Sequence, residues 1–312
     1  MASPQLERVI GMMRKANPLG SGDLMTIRKI TERAPAYPKP ADITWEPVNA
    51  GGVPAEWVVP DDCEPGRVIV YFHGGGYSTG TIHANRALCS HLARAARARV
   101  LSVDYRLAPE HRFPAALDDA VAAYRFVVSE GNAPENVALG GDSSGGGLVL
   151  GTLVALRDGG EPLPGTAFCI CPWTDLTLSG ATVETNRDVD PMVRASVLAL
   201  MADAYLGEAD PRSPTASPLF ADLTGLPPLL VQVGSAELLL DDSRRFVERA
   251  EAAGVDVTFE VWDDMIHVWH SFADLLPEGR EAVARIGSYV DERLKSAPLA
   301  PSDGSSRSAT ST

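Results

Sequence analysis

The rhythm of this chain constrains its fold more than any other feature: short apolar, β-rich runs alternate with longer stretches of helical period. Residues 55–59, 67–72, 99–103, 136–139, 165–171, 229–233 and 257–262 read as strands. Residues 84–97, 114–130, 145–157, 241–253 and 278–295 read as helices. Strands alternating with helices in this way predict a mostly parallel sheet covered on both faces. A chain of 312 residues is long enough to bury such a core.

Two stretches break the rhythm. Within residues 1–40, Leu6, Val9, Ile10 and Met13 share one helical face. Residues 175–225 lie between two strands and exceed an ordinary crossover by a wide margin. Both are expected to form cap segments over a pocket, the second as an insertion in a main domain spanning residues 41–295. The closing segment 296–312 is rich in Ser, Pro, Ala and Thr, lacks an apolar period and is expected to be disordered.

Charge removes some functions. A formal net charge of −14 repels phosphate backbones and anionic lipid heads, so neither a nucleic-acid partner nor membrane docking is expected. No segment has the apolar length to span a bilayer, and Met1–Ile10 lacks the apolar core of a signal peptide. A cytoplasmic location is the expectation. Of the four cysteines, Cys63, Cys89, Cys169 and Cys171, the last two fall in one apolar run and would share a strand face. With no second Cys/His pair at zinc spacing, they read as packing residues, and no metal site is expected.

The segment Asn136-Val-Ala-Leu-Gly-Gly-Asp-Ser143-Ser-Gly-Gly-Gly147 joins a strand to a helix, and Gly141-Asp-Ser143-Ser-Gly145 within it fits G-x-S-x-G. In that turn the flanking residues must be small, and the serine hydroxyl stands at the carboxyl end of the sheet beside the positive end of the next helix. The same letters occur in chymotrypsin-like proteases, but that fold is all-β and its histidine precedes its serine. Upstream, the 67–72 run leads into His73-Gly74-Gly75-Gly76. Glycines let backbone N–H groups approach a developing oxyanion. The N–H of Ser144, directly after the nucleophile, is a further expected donor. The loop has neither G-x-G-x-x-G nor a P-loop Gly-Lys-Ser/Thr, which argues against a phosphate cradle.

A nucleophile elbow calls for the chain order serine, acid, histidine. Of six histidines only His267 and His270 follow Ser143, and His267 lies on the loop after the last strand. The acid belongs after the 229–233 strand, where Glu237, Asp241 and Asp242 are available. The two aspartates fall at a helix start and read as caps. Glu237 is therefore preferred, with Asp241 as the fallback.

At these residues the chain resembles the bacterial hormone-sensitive-lipase-like esterases of the α/β-hydrolase fold. The resemblance rests on His73-Gly-Gly-Gly76, Asp104-Tyr-Arg-Leu-Ala-Pro-Glu-His111, Gly141-Asp-Ser-Ser-Gly-Gly146 and Met265-Ile-His-Val-Trp269. It implies a central sheet of about eight strands, a helical cap, no cofactor and frequent homodimers. It also implies that Gly75 and Gly76 are oxyanion donors beside Ser144. The family's usual Asp-Pro-Leu at the acid reads Glu237-Leu-Leu239 here, while the 30-residue spacing to His267 matches. Glu110 and His73 would organise loops. The implied activity is hydrolysis of short-to-medium acyl esters, small-molecule substrates, through Ser143, His267 and Glu237. The acyl chain would lie near Trp173 and Met192. The alternatives are a ligand-binding protein on the same fold, or an amidase or acyltransferase with the same triad.

Overall fold

A computed structural model describes residues 3–16, 23–32 and 37–294. The 296–312 tail lies outside the described residues. Two helices, α1 (Pro4–Ala16) and α2 (Leu24–Glu32), precede a hairpin of β1 (Ile43–Ala50) and β2 (Val53–Pro60). Then follow β3 (Val68–Phe72), α3 (Ile82–Ala96), β4 (Arg99–Val103), α4 (Ala115–Ser129), β5 (Val137–Asp142), α5 (Ser144–Asp158) and β6 (Thr166–Ile170). A short α6 (Thr182–Thr185) and α7 (Ala195–Leu206) occupy the long connection to β7 (Leu229–Gly234). The chain closes with α8 (Leu240–Ala252), β8 (Val257–Trp262) and α9 (Pro277–Arg293).

These strands form one sheet in the order β1-β2-β4-β3-β5-β6-β7-β8. From β4 to β8 every neighbouring pair is parallel, while β2 runs antiparallel to both β1 and β4. The expected mostly parallel sheet of about eight strands is therefore present. β1 went unrecognised in the sequence because it is an edge strand, with Pro47 in its middle and mostly half-buried or exposed positions. Its signal was the Gly51-Gly52 turn, both residues at positive φ, which closes a two-residue hairpin between Ala50 and Val53.

The central strands are buried on both faces, and their side chains alternate between two cores. On β3, Val68, Val70 and Phe72 join the cluster under α4, α5 and α8, while Ile69 and Tyr71 join the one under α3 and α9. All five are fully inaccessible. Burial of such a side chain stabilises the fold by roughly 1.5–3 kcal/mol. The first two helices part company here: Leu6 and Val9 of α1 pack into the α3–α9 cluster, Leu24 and Ile27 of α2 into the other.

The cysteine expectation needs one correction. Cys169 and Cys171 are buried and unbridged, but they face different clusters. The strand stops at Ile170 and Cys171 takes φ 47°, which breaks the alternation and turns its thiol under the loop after β8. Among the described residues, no helix is long and apolar enough to cross a membrane.

Candidate active site

Because β5 ends at Asp142 and α5 begins at Ser144, Ser143 alone makes the turn. Its backbone lies at φ 54°, ψ −122°, a conformation that costs a non-glycine residue on the order of 1–3 kcal/mol. The Ser143 N–H donates to the Ile170 carbonyl at 2.8 Å, and its own carbonyl accepts from Trp173 N–H at 2.9 Å. A β-carbon on Gly141 would meet the Gly145 carbonyl oxygen at 2.4 Å, and one on Gly145 would meet that of Phe72 at 2.0 Å. The flanking glycines thus answer to close backbone packing.

The loop after β3 holds Gly75 at φ 119° and Gly76 at φ 60°. The Gly75 carbonyl is turned into its own loop, accepting from Thr79 N–H at 2.9 Å and Thr79 Oγ1 at 3.0 Å. Gly74 N–H donates to Asp142 Oδ1 at 3.0 Å, and that oxygen also accepts from the Tyr71 hydroxyl at 2.6 Å. Among the described residues, no hydrogen bond takes up the N–H of Gly75, Gly76 or Ser144. Gly75 is half-buried, Gly76 and Ser144 are buried, and the two glycines line the same cavity as Ser143.

His73, almost fully buried, stacks on Tyr105 at 4.4 Å and places Nδ1 2.7 Å from the Gly74 carbonyl. Burial holds its pKa below the ordinary value. Glu110 is bound from α2: Arg28 donates to both its carboxylate oxygens at 2.7 and 2.9 Å, and also to the carbonyls of Ser78 and Ala108. One guanidinium thereby ties α2 to the glycine loop and to the 104–111 loop.

Glu237 follows β7 and is wholly buried. Its Oε1 accepts from Gly234 N–H at 2.7 Å, and its Oε2 lies 2.6 Å from Nδ1 of His267. His267 follows β8, anchored by the buried neighbours Met265 and Ile266 and by Val268, whose N–H donates to Cys171 Sγ at 3.3 Å. Burial disfavours the imidazolium, but the Glu237 carboxylate, with Asp190 and Asp142, outweighs it and raises the His267 pKa. Donor atoms of Cys171, Glu237 and His267 lie within 4.8 Å of one another. Burial drives the Cys171 thiol well above its ordinary pKa, which favours its neutral form. His270 points elsewhere, with Nε2 2.7 Å from Gln232 Oε1, and burial lowers its pKa to about 3.

The two aspartates do not cap α8, contrary to expectation. Asp241 accepts from Thr182 N–H at 3.1 Å. Asp242 accepts from Thr174 and Asp175 N–H at 2.8 and 2.9 Å. Both hold the connection after β6 against α8, a pairing between distant segments that local spacing does not reveal.

Ser143, His267, Gly75 and Gly76 line one cavity of about 220 Å³. Its apolar walls come from Met192, Val193, Val197, Leu198, Met201 and Val268, with Thr31 of α2 at its edge. Met192 lines this cavity. Trp173 does not: it is fully buried beside Tyr77, and its indole N–H donates to the Asp175 carbonyl at 3.1 Å. The wall residues of α7 were missed, although Val197, Leu198 and Met201 share a helical face inside the insertion. A larger groove between α3 and α9, about 290 Å³ and lined by His91, Arg94 and Arg280, brings no serine beside its histidine.

Residues 69–271 match the model of a family described by its alpha/beta hydrolase fold. The chain belongs to the α/β hydrolase fold family. This hydrolase is 45% identical over 291 residues to an acetyl-hydrolase of Streptomyces hygroscopicus, covering 93% of this chain and 97% of that protein. It is 32% identical over 275 residues to the carboxylesterase NlhH of Mycobacterium tuberculosis, covering 84% and 82%. A crystal structure of an esterase from the bacterial hormone-sensitive lipase family superposes with a TM-score of 0.91 at 48% identity, over 95% of this chain and all of that one. The hydrolase is a hormone-sensitive-lipase-like member of the family, and its reaction is ester hydrolysis.

Proposed function

We propose that the hydrolase cleaves carboxylic esters of short-to-medium acyl chains, with Ser143 as nucleophile, His267 as general base and Glu237 as the acid that orients it. The reading is carried by the buried 2.6 Å contact of His267 Nδ1 with Glu237, beside a cavity that His267 shares with Ser143, Gly75 and Gly76. The Nδ1–H donates to Glu237, which fixes the tautomer and leaves Nε2 to accept the serine proton.

The Ser143 hydroxyl oxygen attacks the ester carbonyl as His267 takes its proton. The oxyanion is received by the N–H groups of Gly75, Gly76 and Ser144, each such donor being worth about 10²–10³ in rate. His267 returns the proton to the departing alcohol. It then takes a proton from water, which adds to the acyl carbon, and the acid leaves as Ser143 is reprotonated. Sites for drug-sized ligands run to about 300–1,000 Å³, so a cavity of about 220 Å³ suits a short acyl group. In this reading residues 1–40, through α2, and residues 175–225 form the cap over a main domain of residues 41–295; Thr31 and the α7 side chains at the cavity support it.

The test is hydrolysis of p-nitrophenyl esters from acetate to palmitate by the wild type and Ser143→Ala. Turnover of short esters that vanishes in the variant is expected. Equal turnover by both proteins overturns the mechanism, and a preference for palmitate overturns the substrate range.

A further inference from the structure

The segment that walls the cavity is also wired to the loop that carries Glu237. Asp190, 8% exposed, lies between α6 and α7. Its Oδ1 accepts from the N–H groups of Met192 and Val193 at 2.8 and 2.9 Å, and both residues line the cavity. Its Oδ2 reaches across to accept from Leu238 N–H at 3.0 Å, on the residue directly after Glu237. Four residues earlier, the Asn186 side-chain amide donates to the carbonyls of Ser235 and Glu237 at 3.2 and 2.9 Å. The loop after β7 is therefore gripped on both sides of the acid by the insertion that also supplies the pocket wall.

We infer that Asp190 and Asn186 are positioning residues of this hydrolase, setting the Glu237 loop against the acyl wall that Met192 and Val193 provide. The inference rests on the reading of His267 as base and Glu237 as its partner. Two buried carboxylates on facing segments are costly unless their lone pairs are occupied, and here backbone N–H groups help fill that need. The ionisable groups that face His267 are Glu237 after β7, Asp142 at the end of β5, Asp190 in the insertion, Cys171 after β6 and His270 on its own loop. Asp142 lines the cavity and holds Gly74 of the glycine loop, whereas Asp190 holds the acyl wall through Met192 and Val193. A change in the acyl wall is thereby passed to the acid loop, and the reverse.

The two residues can be separated. Asp190→Asn keeps the shape but removes the charge, and one side of its amide must then face a backbone N–H as a donor. Asn186→Ala removes the tether and leaves every charge in place. Each is compared with the wild type on p-nitrophenyl acetate and butyrate from pH 5 to pH 9, with near-ultraviolet circular dichroism as the fold check. Asn186→Ala is expected to lower kcat by about ten- to a hundredfold with KM little changed and the acid limb of kcat/KM unmoved, the scale of a misplaced catalytic group. Asp190→Asn is expected to lower kcat, to move the acid limb to lower pH because His267 loses a stabilising charge, and to alter the butyrate-to-acetate ratio. A folded Asp190→Asn protein with wild-type kcat and an unmoved limb overturns the inference. If that variant does not fold, wild-type kcat in Asn186→Ala overturns it. Turnover that survives Ser143→Ala would instead defeat the triad reading beneath it.

Discussion

Gly76 lies directly beneath Met201: a β-carbon built on the glycine would meet the methionine sulfur at 2.1 Å. The glycine loop and the wall of the cavity are therefore in contact, and the floor of one is the ceiling of the other. Gly76 also has φ 60°, so a side chain there is strained as well as crowded. Gly76→Ala is expected to reduce kcat for p-nitrophenyl acetate by about 10²–10³, the effect of displacing one oxyanion donor. Steady-state kinetics on the folded variant checks it.

Met201→Ala is the complementary change. Removing the thioether opens the cavity above Gly76, so the optimum of a p-nitrophenyl ester series is expected to move to longer chains. The buried Met201 also packs in the core, and such truncations cost about 2–5 kcal/mol, so a lower Tm is expected alongside.

Glu237→Gln is expected to lower kcat by up to about 10⁴, because an amide no longer enforces the tautomer of His267. Asp241→Asn is expected to leave kcat close to wild type, since Asp241 serves Thr182 and not the histidine. A larger loss from Asp241→Asn would move the acid to that residue.

The His267 pKa is raised above its ordinary 6.5. The imidazolium cannot accept the serine proton, so activity is lost as pH falls through the raised value. The acid limb of kcat/KM is expected above pH 6.5 in the wild type and at lower pH in Glu237→Gln. A pH profile of residual activity in both proteins decides it.

Asp242 offers a stability test away from the chemistry. Burial raises its pKa to about 8 and, among the described residues, its Oδ1 has no hydrogen-bond partner. A carboxyl whose folded pKa exceeds its unfolded value favours the folded state below the unfolded pKa, and this advantage is lost as pH rises through the folded one. Asp242→Asn, which keeps an oxygen for the Thr174 and Asp175 amides, is expected to raise Tm at pH 9 relative to the wild type. At about pH 3, below the unfolded carboxyl pKa, the two should melt alike.

The sheet and the serine turn were legible because their causes are local. Apolar runs of five or six residues announce strands, and Gly141 and Gly145 announce a turn with no room for side chains. Chain order narrowed the proposed base to His267 or His270 and the proposed acid to Glu237, Asp241 or Asp242, a consequence of topology. What could not be read was pairing between distant segments. Trp173 was expected near the acyl chain, yet the chain turns it inward against Tyr77. Asp241 and Asp242 looked like caps because caps are local, while their partners lie 59 to 68 residues away. Asp190 makes a local turn with Met192 and Val193, but its reach to the Leu238 amide, 48 residues away, left no local signal.

The parallel half of the sheet sends the loops after β3, β5, β7 and β8 to one rim, and the segment between β6 and β7 arches over it. For anyone exchanging that arch between relatives to retune selectivity, the transplant is not a neutral lid. A donor segment that lacks an acceptor where Asp190 stands would leave the Leu238 amide orphaned and the acid loop slack. Such chimaeras are expected to fail through lost turnover before they fail through poor fit, and to be rescued by restoring an Asp–Asn pair in the graft.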